Sequence, residues 1–428
     1  MCDNSKLAYQ LKREIKNFAD KITKGLQRPE YKFVFQMLYG LMESQSTHLS
    51  NIARALKEGI TLKKTIERLS RNLSQFTASD ILIENYIEIV KKNTNNLSIL
   101  VIDNGDVSKP YSKSLDSLCR VRDGSTGQIT TGYHLLEISA LTKDKKMPMP
   151  VYTHVYSSTD KAFISEDEEV LKGFKHLTQH FGKSGIRTMD RGYDANIYYK
   201  YFFKNSEPFV IRAKKNRDVI YKGETKNILE VAEQFKGKLA LKFKDKQGKI
   251  IHCKISFAPI QLPFAPQKDL TLIIVHGFSK TPMMLISSLK SSDENLPLVV
   301  TKVYLLRWRI EEYYRFKKQQ FGFEDFRVQS LVSIRALNTI LTLLIGLLST
   351  FSEKQDENIL VMEIIAFSKR IYEKSKFIYY ALGDGIYSIL KKSREGIGSF
   401  LTPLKIPISQ QLDIFKVFKI KEFEVSAY

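Results

Sequence analysis

The chain has 428 residues, of which 43% are hydrophobic and 26% charged, proportions that fit a folded protein of two to four domains with a substantial core. Lys and Arg number 67 against 46 Asp and Glu, a formal charge of +21. That balance points to a long polyanion, because each cation that neutralises a phosphate releases a counterion; a merely basic enzyme is the plainer alternative. Three scattered cysteines, Cys2, Cys119 and Cys253, exclude a disulfide framework and a paired zinc site and fit a reducing compartment.

The N-terminal text "MCDNSKLAYQLKREIKNF" has no long apolar core, so no secretory signal is expected there. Residues 1–92 read as a helical region, expected to bind DNA. Within it, Thr47 to Ser74 carries two helical patterns joined at Glu58-Gly59-Ile60-Thr61, with Ile52, Ala55, Leu56, Ile66 and Leu69 facing inward. Such a pair suits a helix-turn-helix reader of duplex DNA and equally a plain bundle.

The run "NLSILVID" reads as a buried strand ending in Asp103. "TTGYHLLEISAL" and "PMPVYTHVYS" continue it as an antiparallel meander, with turns at Asp123-Gly124 and Lys143-Asp144-Lys145-Lys146. Ser165 to Glu168 forms a capping box for a helix with Val170, Phe174, Leu177 and Phe181 at core spacing. "IRTMD" is a strand ending in Asp190, and "ANIYYKYFFKN" and "PFVIRAK" add a helix and a strand.

From 214 to 290 the text becomes β-rich, with a hairpin turning at Gln247-Gly248 and strands in "DLTLIIVHGF" and "MMLISSL". A long helix over Val300–Phe326 follows, then the apolar run Ala336–Phe351, which Asn338 and Thr339 interrupt and which is shorter than the roughly 20 apolar residues of a membrane span. A buried helix is expected there, and no membrane partner. The divisions are 1–92, a core in two parts at 93–213 and 291–350, an insertion at 214–290, and a helical tail at 351–428 with a possible dimerisation role.

One mixed sheet with helices packed on it is the economical architecture, an α/β fold. A crossover from the meander would lay the Asp190 strand parallel to the Asp103 strand and bring both aspartates to one carboxyl edge. Two such carboxylates repel unless a cation lies between them, and hard Mg²⁺ suits their oxygens. On a 3.6-residue period Tyr304, Arg307, Glu311, Arg315 and Lys318 share one helix face, which would add a third carboxylate flanked by cations.

Plainer readings exist for each residue. Glu311 could make only i,i+4 ion pairs with Arg307 and Arg315, and Glu312 a salt link with Arg309 or Arg315. Asp106 reads as an Asx-type turn residue and Asp194 as a helix N-cap. His176 and His180, spaced i,i+4, read as a solvated face; His134 and His154 read as packed strand residues.

Tyr-x2-Arg-x3-Glu-x6-Lys falls on Tyr304, Arg307, Glu311 and Lys318 without a gap, beside "RWRIEE" and "DRGYD". In these residues the chain resembles the DDE transposases of bacterial insertion sequences, in the group with a Y-R-E-K signature, over about residues 95–330. The resemblance implies an RNase H-like mixed sheet interrupted by a β-rich insertion, with helical N- and C-terminal regions. It implies two divalent ions, Mg²⁺ or Mn²⁺, held by Asp103, Asp190 and Glu311 as catalytic and metal-binding residues, and DNA contacts from Tyr304, Arg307 and Lys318; Arg315, on the same helix face, is expected to join them on the DNA backbone.

It further implies cleavage at terminal inverted repeats of double-stranded DNA, attack of the freed 3′-hydroxyl on target DNA, a homodimer on paired ends, and a cytoplasmic, nucleoid-associated location. A nuclease that does not join ends, or a non-catalytic DNA-binding descendant, are the alternatives. Two departures stand out: Asn104-Gly105 follows the first aspartate in place of x-Thr, and the only tryptophan, Trp308, lies in the signature helix. The base-stacking role of an insertion tryptophan is therefore unassigned, with Tyr221, Phe257, Phe264 and Phe278 as substitutes.

Overall fold

A computed structural model describes residues 4–92, 94, 98–143, 146–244, 250–290, 295–368 and 377–401. The expected turn at Lys143–Lys146 falls partly outside them, and the turn at Gln247-Gly248 and the tail beyond 401 fall wholly outside.

Five helices open the chain: α1 (Asn4–Ile22), α2 (Arg28–Ser44), α3 (Leu49–Leu56), α4 (Leu62–Ser74) and α5 (Ser79–Lys92). Apolar residues at helical spacing explain their packing: Leu7, Leu11, Ile15, Phe18 and Ile22 make one buried stripe of α1. α2 starts with a proline in its first turn and ends at Gln45 in the left-handed region, φ 47°. In the α3–α4 pair Ile52, Ala55, Leu56 and Leu69 are buried as expected, with Ile66 half-buried. Arg68 closes the pair by a 2.6 Å ion pair with Glu58.

The central sheet begins with β1 (Ile99–Ser108), β2 (Cys119–Arg122), β3 (Ile129–Leu141) and β4 (Pro148–Tyr156). Then come α6 (Glu166–Phe181), β5 (Ile186–Met189), α7 (Asn196–Asn205) and β6 (Phe209–Arg212). β3 lies antiparallel between β1 and β4, while β5 and β6 run parallel to β1. The spatial order β4-β3-β1-β5-β6 is the mixed sheet expected from the sequence, with β1 between the meander and the parallel strands. β2 was not expected; it pairs with the first residues of β3, end to end with β4. Ser165 caps α6 by accepting from the Glu168 N–H, as its sequence implies.

The inserted segment forms β7 (Asp218–Tyr221), β8 (Glu224–Asn227), α8 (Ile228–Glu233), β9 (Leu239–Lys244), β10 (Ile250–Leu262), β11 (Ala265–His276) and β12 (Met283–Ser287). It extends the core sheet directly, because β12 pairs antiparallel with β6, and the described residues make one twelve-stranded sheet.

Two features of the following helix depart from expectation. The single helix over Val300–Phe326 is instead α9 (Leu296–Leu305), a 3₁₀ turn over Leu306–Trp308, α10 (Arg309–Phe321) and a second 3₁₀ turn over Phe323–Asp325. Three residues per turn advance about 20° more per residue than an α-helix, so the single face drawn from Tyr304 to Lys318 is rotated at its middle. Tyr304, near the end of α9, is buried.

α11 (Leu331–Glu353) contains the apolar run and packs on β4, α2, α4, α5 and α13. Among the described residues it is one helix long and apolar enough to cross a membrane, but 89% of that stretch is buried inside the molecule. α12 (Ile359–Phe367), α13 (Tyr379–Lys391) and the short α14 (Gly398–Leu401) complete the description.

Candidate active site

The parallel register of β1 and β5 places the first two carboxylates. Val101 pairs with Thr188, so two residues further along each strand stand Asp103 and Asp190. Asp103 does not end its strand, as had been expected: β1 continues to Ser108 because β3 keeps hydrogen-bonding to it after β5 stops. Asp190 follows the last residue of β5 and caps a 3₁₀ turn, accepting from the Gly192 N–H at 2.7 Å.

Glu311 comes from the first turn of α10, and Arg307 links it to the sheet. The Arg307 guanidinium reaches Asp103 Oδ2 at 3.2 Å and Glu311 Oε1 at 2.7 Å. Arg307 and Asp103 side chains are each 15% exposed, so this pairing is well shielded from water. Burial pushes the Asp103 carboxyl up to about 7; Arg307 opposes this, while the charges of Asp190 and Glu311 add to it. Arg307 is held above its ordinary value, since Asp103, Tyr304, Glu311 and Asp190 together outweigh the effect of its own burial.

Asp103, Asp190, Glu311 and Arg307 therefore share one electrostatic environment. Among the described residues no three His, Cys, Asp or Glu side chains stand in a metal-ligating arrangement. Asp103 and Glu311 are instead spanned by the Arg307 cation. The donor set fits hard divalent ions: three carboxylates whose mutual repulsion a positive charge relieves, as Arg307 already does in part.

The other candidates are placed as follows. Lys318 binds Asp106 Oδ2 at 3.3 Å and Glu324 Oε1 at 2.9 Å. Arg315, half exposed, pairs with Glu312 at 2.5 Å, one of the two links expected for Glu312. Phe257 and Phe278 are exposed, whereas Tyr221 is buried and Phe264 packs near Tyr199 and Phe203.

Three plainer readings need correction. Asp106 is no turn residue but lies inside β1 opposite His134, because the strand runs on past the site. Asp194 is not the N-cap of α7, which is Ala195; it is buried, accepting from the Lys214 N–H, Tyr199 and Arg217. His176 is half-buried rather than solvated, because α6 lays it against β4, where it bonds the Val151 carbonyl at 3.0 Å. His154 is a packed strand residue as expected, 2.9 Å from Glu169.

Several residues that shape the site were not singled out. The Tyr314 hydroxyl donates to the Asp103 carbonyl at 2.8 Å, fixing β1 against α10. Gly105 makes room for that ring: a Cβ there would stand 3.0 Å from it. Deeper, Lys317 is fully buried and meets Glu137 at 2.5 Å, Asn338 at 2.6 Å and Thr342 at 2.9 Å. Thr153 and Tyr313 donate to the same glutamate at 2.8 and 3.3 Å. Tyr314 lies three residues after Glu311, a spacing that shares its face; nothing local marks Glu137, whose partner is 180 residues away.

Comparison with known proteins adds three findings. The family described as "Transposase DDE domain" matches residues 134–347, a segment that contains Asp190 and Glu311 and begins after Asp103. No curated protein matches the chain. Among solved structures, a piggyBac transposase chain from a synaptic complex with hairpin DNA aligns with a TM-score of 0.43 at 11% identity, covering 99% of this chain and 90% of that one.

Proposed function

The chain belongs to the transposase DDE domain family, whose match takes in half of its length, and on that premise we propose that it cuts DNA at the ends of a mobile element and joins the freed 3′-hydroxyls to target DNA. The single observation that carries this reading is the convergence of Asp103 and Asp190 at neighbouring strands of the sheet with Glu311 linked to Asp103 through Arg307.

In this reading Asp103, Asp190 and Glu311 would hold two Mg²⁺ or Mn²⁺ ions. When bound, such ions supply activation of the attacking oxygen and stabilisation of the leaving one in phosphoryl transfer. The protein's own residues orient and exclude. Tyr314 holds the Asp103 backbone, so the carboxylate keeps its place when charge nearby changes. Arg307 exchanges its carboxylates for a phosphate of the bound strand, a bidentate partner of matching shape. Arg315 and Lys318, one and two turns beyond Glu311, lie along the path of that strand. Tyr304, buried behind Arg307, packs its base rather than touching DNA.

The chain is proposed to act as a homodimer on paired inverted repeats, in the cytoplasm at the nucleoid. Glu311→Gln tests the assignment. It is expected to keep binding end DNA while losing at least about 100-fold in cleavage and strand transfer with Mg²⁺; full activity would remove Glu311 from the chemistry. Supplying a pre-cut end separates a transposase from a nuclease, which would yield no joined product.

A further inference from the structure

A second surface, beside the carboxylates, has the chemistry of a nucleic-acid contact. The loop between β1 and β2 presents Tyr111, 95% exposed. Single exposed apolar side chains are ordinary, but this one sits in a firmly fastened loop. Lys109 donates to the carbonyls of Glu324 and Phe326 at 2.6 and 2.7 Å, with its ammonium 3.8 Å from the centre of the Phe326 ring. Farther on, the Asp116 N–H bonds Gln329 O and the Leu331 N–H bonds the Asp116 carboxylate, both at 3.0 Å.

The same loop leads into β2, whose residues alternate in burial. Cys119 and Val121 face the core; Arg120 and Arg122 face out, and Lys113 and Arg327 are exposed nearby in the fold. The two acids of the segment are engaged locally: Asp116 as above, and Asp123 by the Ser125 N–H and hydroxyl and the Thr126 N–H. Those bonds hold the two carboxylates in place and leave Arg120 and Arg122 exposed beside them, with Glu324 and Asp325 on the side toward Lys109.

The turn after β2 is tied to the site. The Gly124 N–H donates to Asp106 Oδ1 at 3.0 Å, and Lys318 of α10 binds the other oxygen of Asp106 at 3.3 Å. Asp106 is three residues beyond Asp103 on β1, a distance of about 10 Å. That separation corresponds to roughly three base steps along a strand of duplex.

We propose that the β2–β3 hairpin and the loop before it form a DNA clamp, in which Arg120 and Arg122 hold backbone phosphates flanking the cut and Tyr111 stacks on an unpaired base. The inference rests on the transposase reading and adds to it a contact surface outside the signature helix. Exposed arginines on a short edge strand could instead serve only to prevent edge-to-edge pairing, and the test separates the two roles.

The Arg120→Gln/Arg122→Gln double variant and Tyr111→Ala would be titrated with a blunt duplex and with the same duplex bearing a single-stranded overhang, over a series of salt concentrations. Loss of two phosphate contacts is expected to reduce the slope of log K against log salt by about 2 and to weaken both probes. Tyr111→Ala is expected to weaken the overhang probe about tenfold and leave the blunt duplex unchanged. Wild-type binding without salt dependence would sink the transposase reading itself. Salt-dependent wild-type binding with an unchanged slope in the double variant would overturn the clamp alone. So would a double variant that self-associates in size-exclusion chromatography while its monomer binds as wild type. A Tyr111→Ala protein that holds the overhang as tightly as wild type would overturn the stacking role.

Discussion

Lys317→Met probes the buried connection that seats α10 on the sheet. In the native protein the Lys317 ammonium is enclosed by Glu137, Asn338 and Thr342 at 2.5 to 2.9 Å, and both charged side chains are essentially inaccessible. Methionine fills a similar volume but leaves the Glu137 carboxylate with only the Thr153 and Tyr313 hydroxyls as donors. Removing one partner of such a pair costs about 3–5 kcal/mol, because the other charge stays buried without compensation. Burial already raises the Glu137 carboxyl above its ordinary range, against the pull of Lys317, and the variant removes that pull.

The sign of the pH effect follows. A carboxyl raised in the folded state is stabilising while protonated, below its unfolded value, and that contribution is lost as pH rises through the folded value. The loss in Lys317→Met should therefore be smallest near pH 5 and grow toward pH 8. Urea denaturation followed by circular dichroism at both pH values measures it. Glu137→Leu combined with Lys317→Met should recover most of the stability, since an apolar pair of similar volume is often neutral. A single variant within about 1 kcal/mol of wild type at both pH values, or a double variant no better than the single, would refute the argument.

Other outcomes follow from the same geometry. Arg307→Gln removes two charge-assisted bonds from Asp103 and Glu311, so DNA-free protein should bind Mn²⁺ about a hundredfold more tightly by calorimetry or electron paramagnetic resonance, at roughly 1.5 kcal/mol for each of the two charged bonds; equal or weaker binding would show that Arg307 does not compete for these carboxylates. His176 is pushed down to about 4 by burial and by neighbouring His180. A base depressed in the folded state supports folding above its unfolded value and loses that support as pH falls toward the folded one. Acid unfolding should therefore be shallower between pH 6.5 and 4 in His176→Gln, by up to roughly 2–3 kcal/mol, and an identical acid profile would argue against the buried neutral imidazole.

Much of the core was legible because it is written locally. The short apolar runs before Asp103 and Asp190, bounded by turn residues, announced two buried strands, and the helix between them announced the crossover that makes them parallel. The α3–α4 pair and the apolar α11 likewise follow from periodicity alone. What escaped depends on partners distant in the chain. Asp106 looked like a turn residue because its text is "NGDVSKP"; β3 pairing across residues 100–108 turned that text into strand. Asp194 looked like a cap until Arg217 and Lys214 claimed its oxygens. The 3₁₀ turn at Leu306–Trp308 breaks no sequence rule, yet it divides the helix that carries Tyr304 from the one that carries Glu311.

α11 also settles a question of geometry at larger scale. It is buried along nearly its whole length and packs both on β4 and on α2, α4 and α5. The leading helices are thus not tethered by a flexible string to the sheet that carries the carboxylates; they are bolted to it. Any stretch of polynucleotide gripped by that bundle would lie at a set span from Asp103, so the protein would behave as a ruler, with the offset between recognised sequence and broken bond machined into its interior.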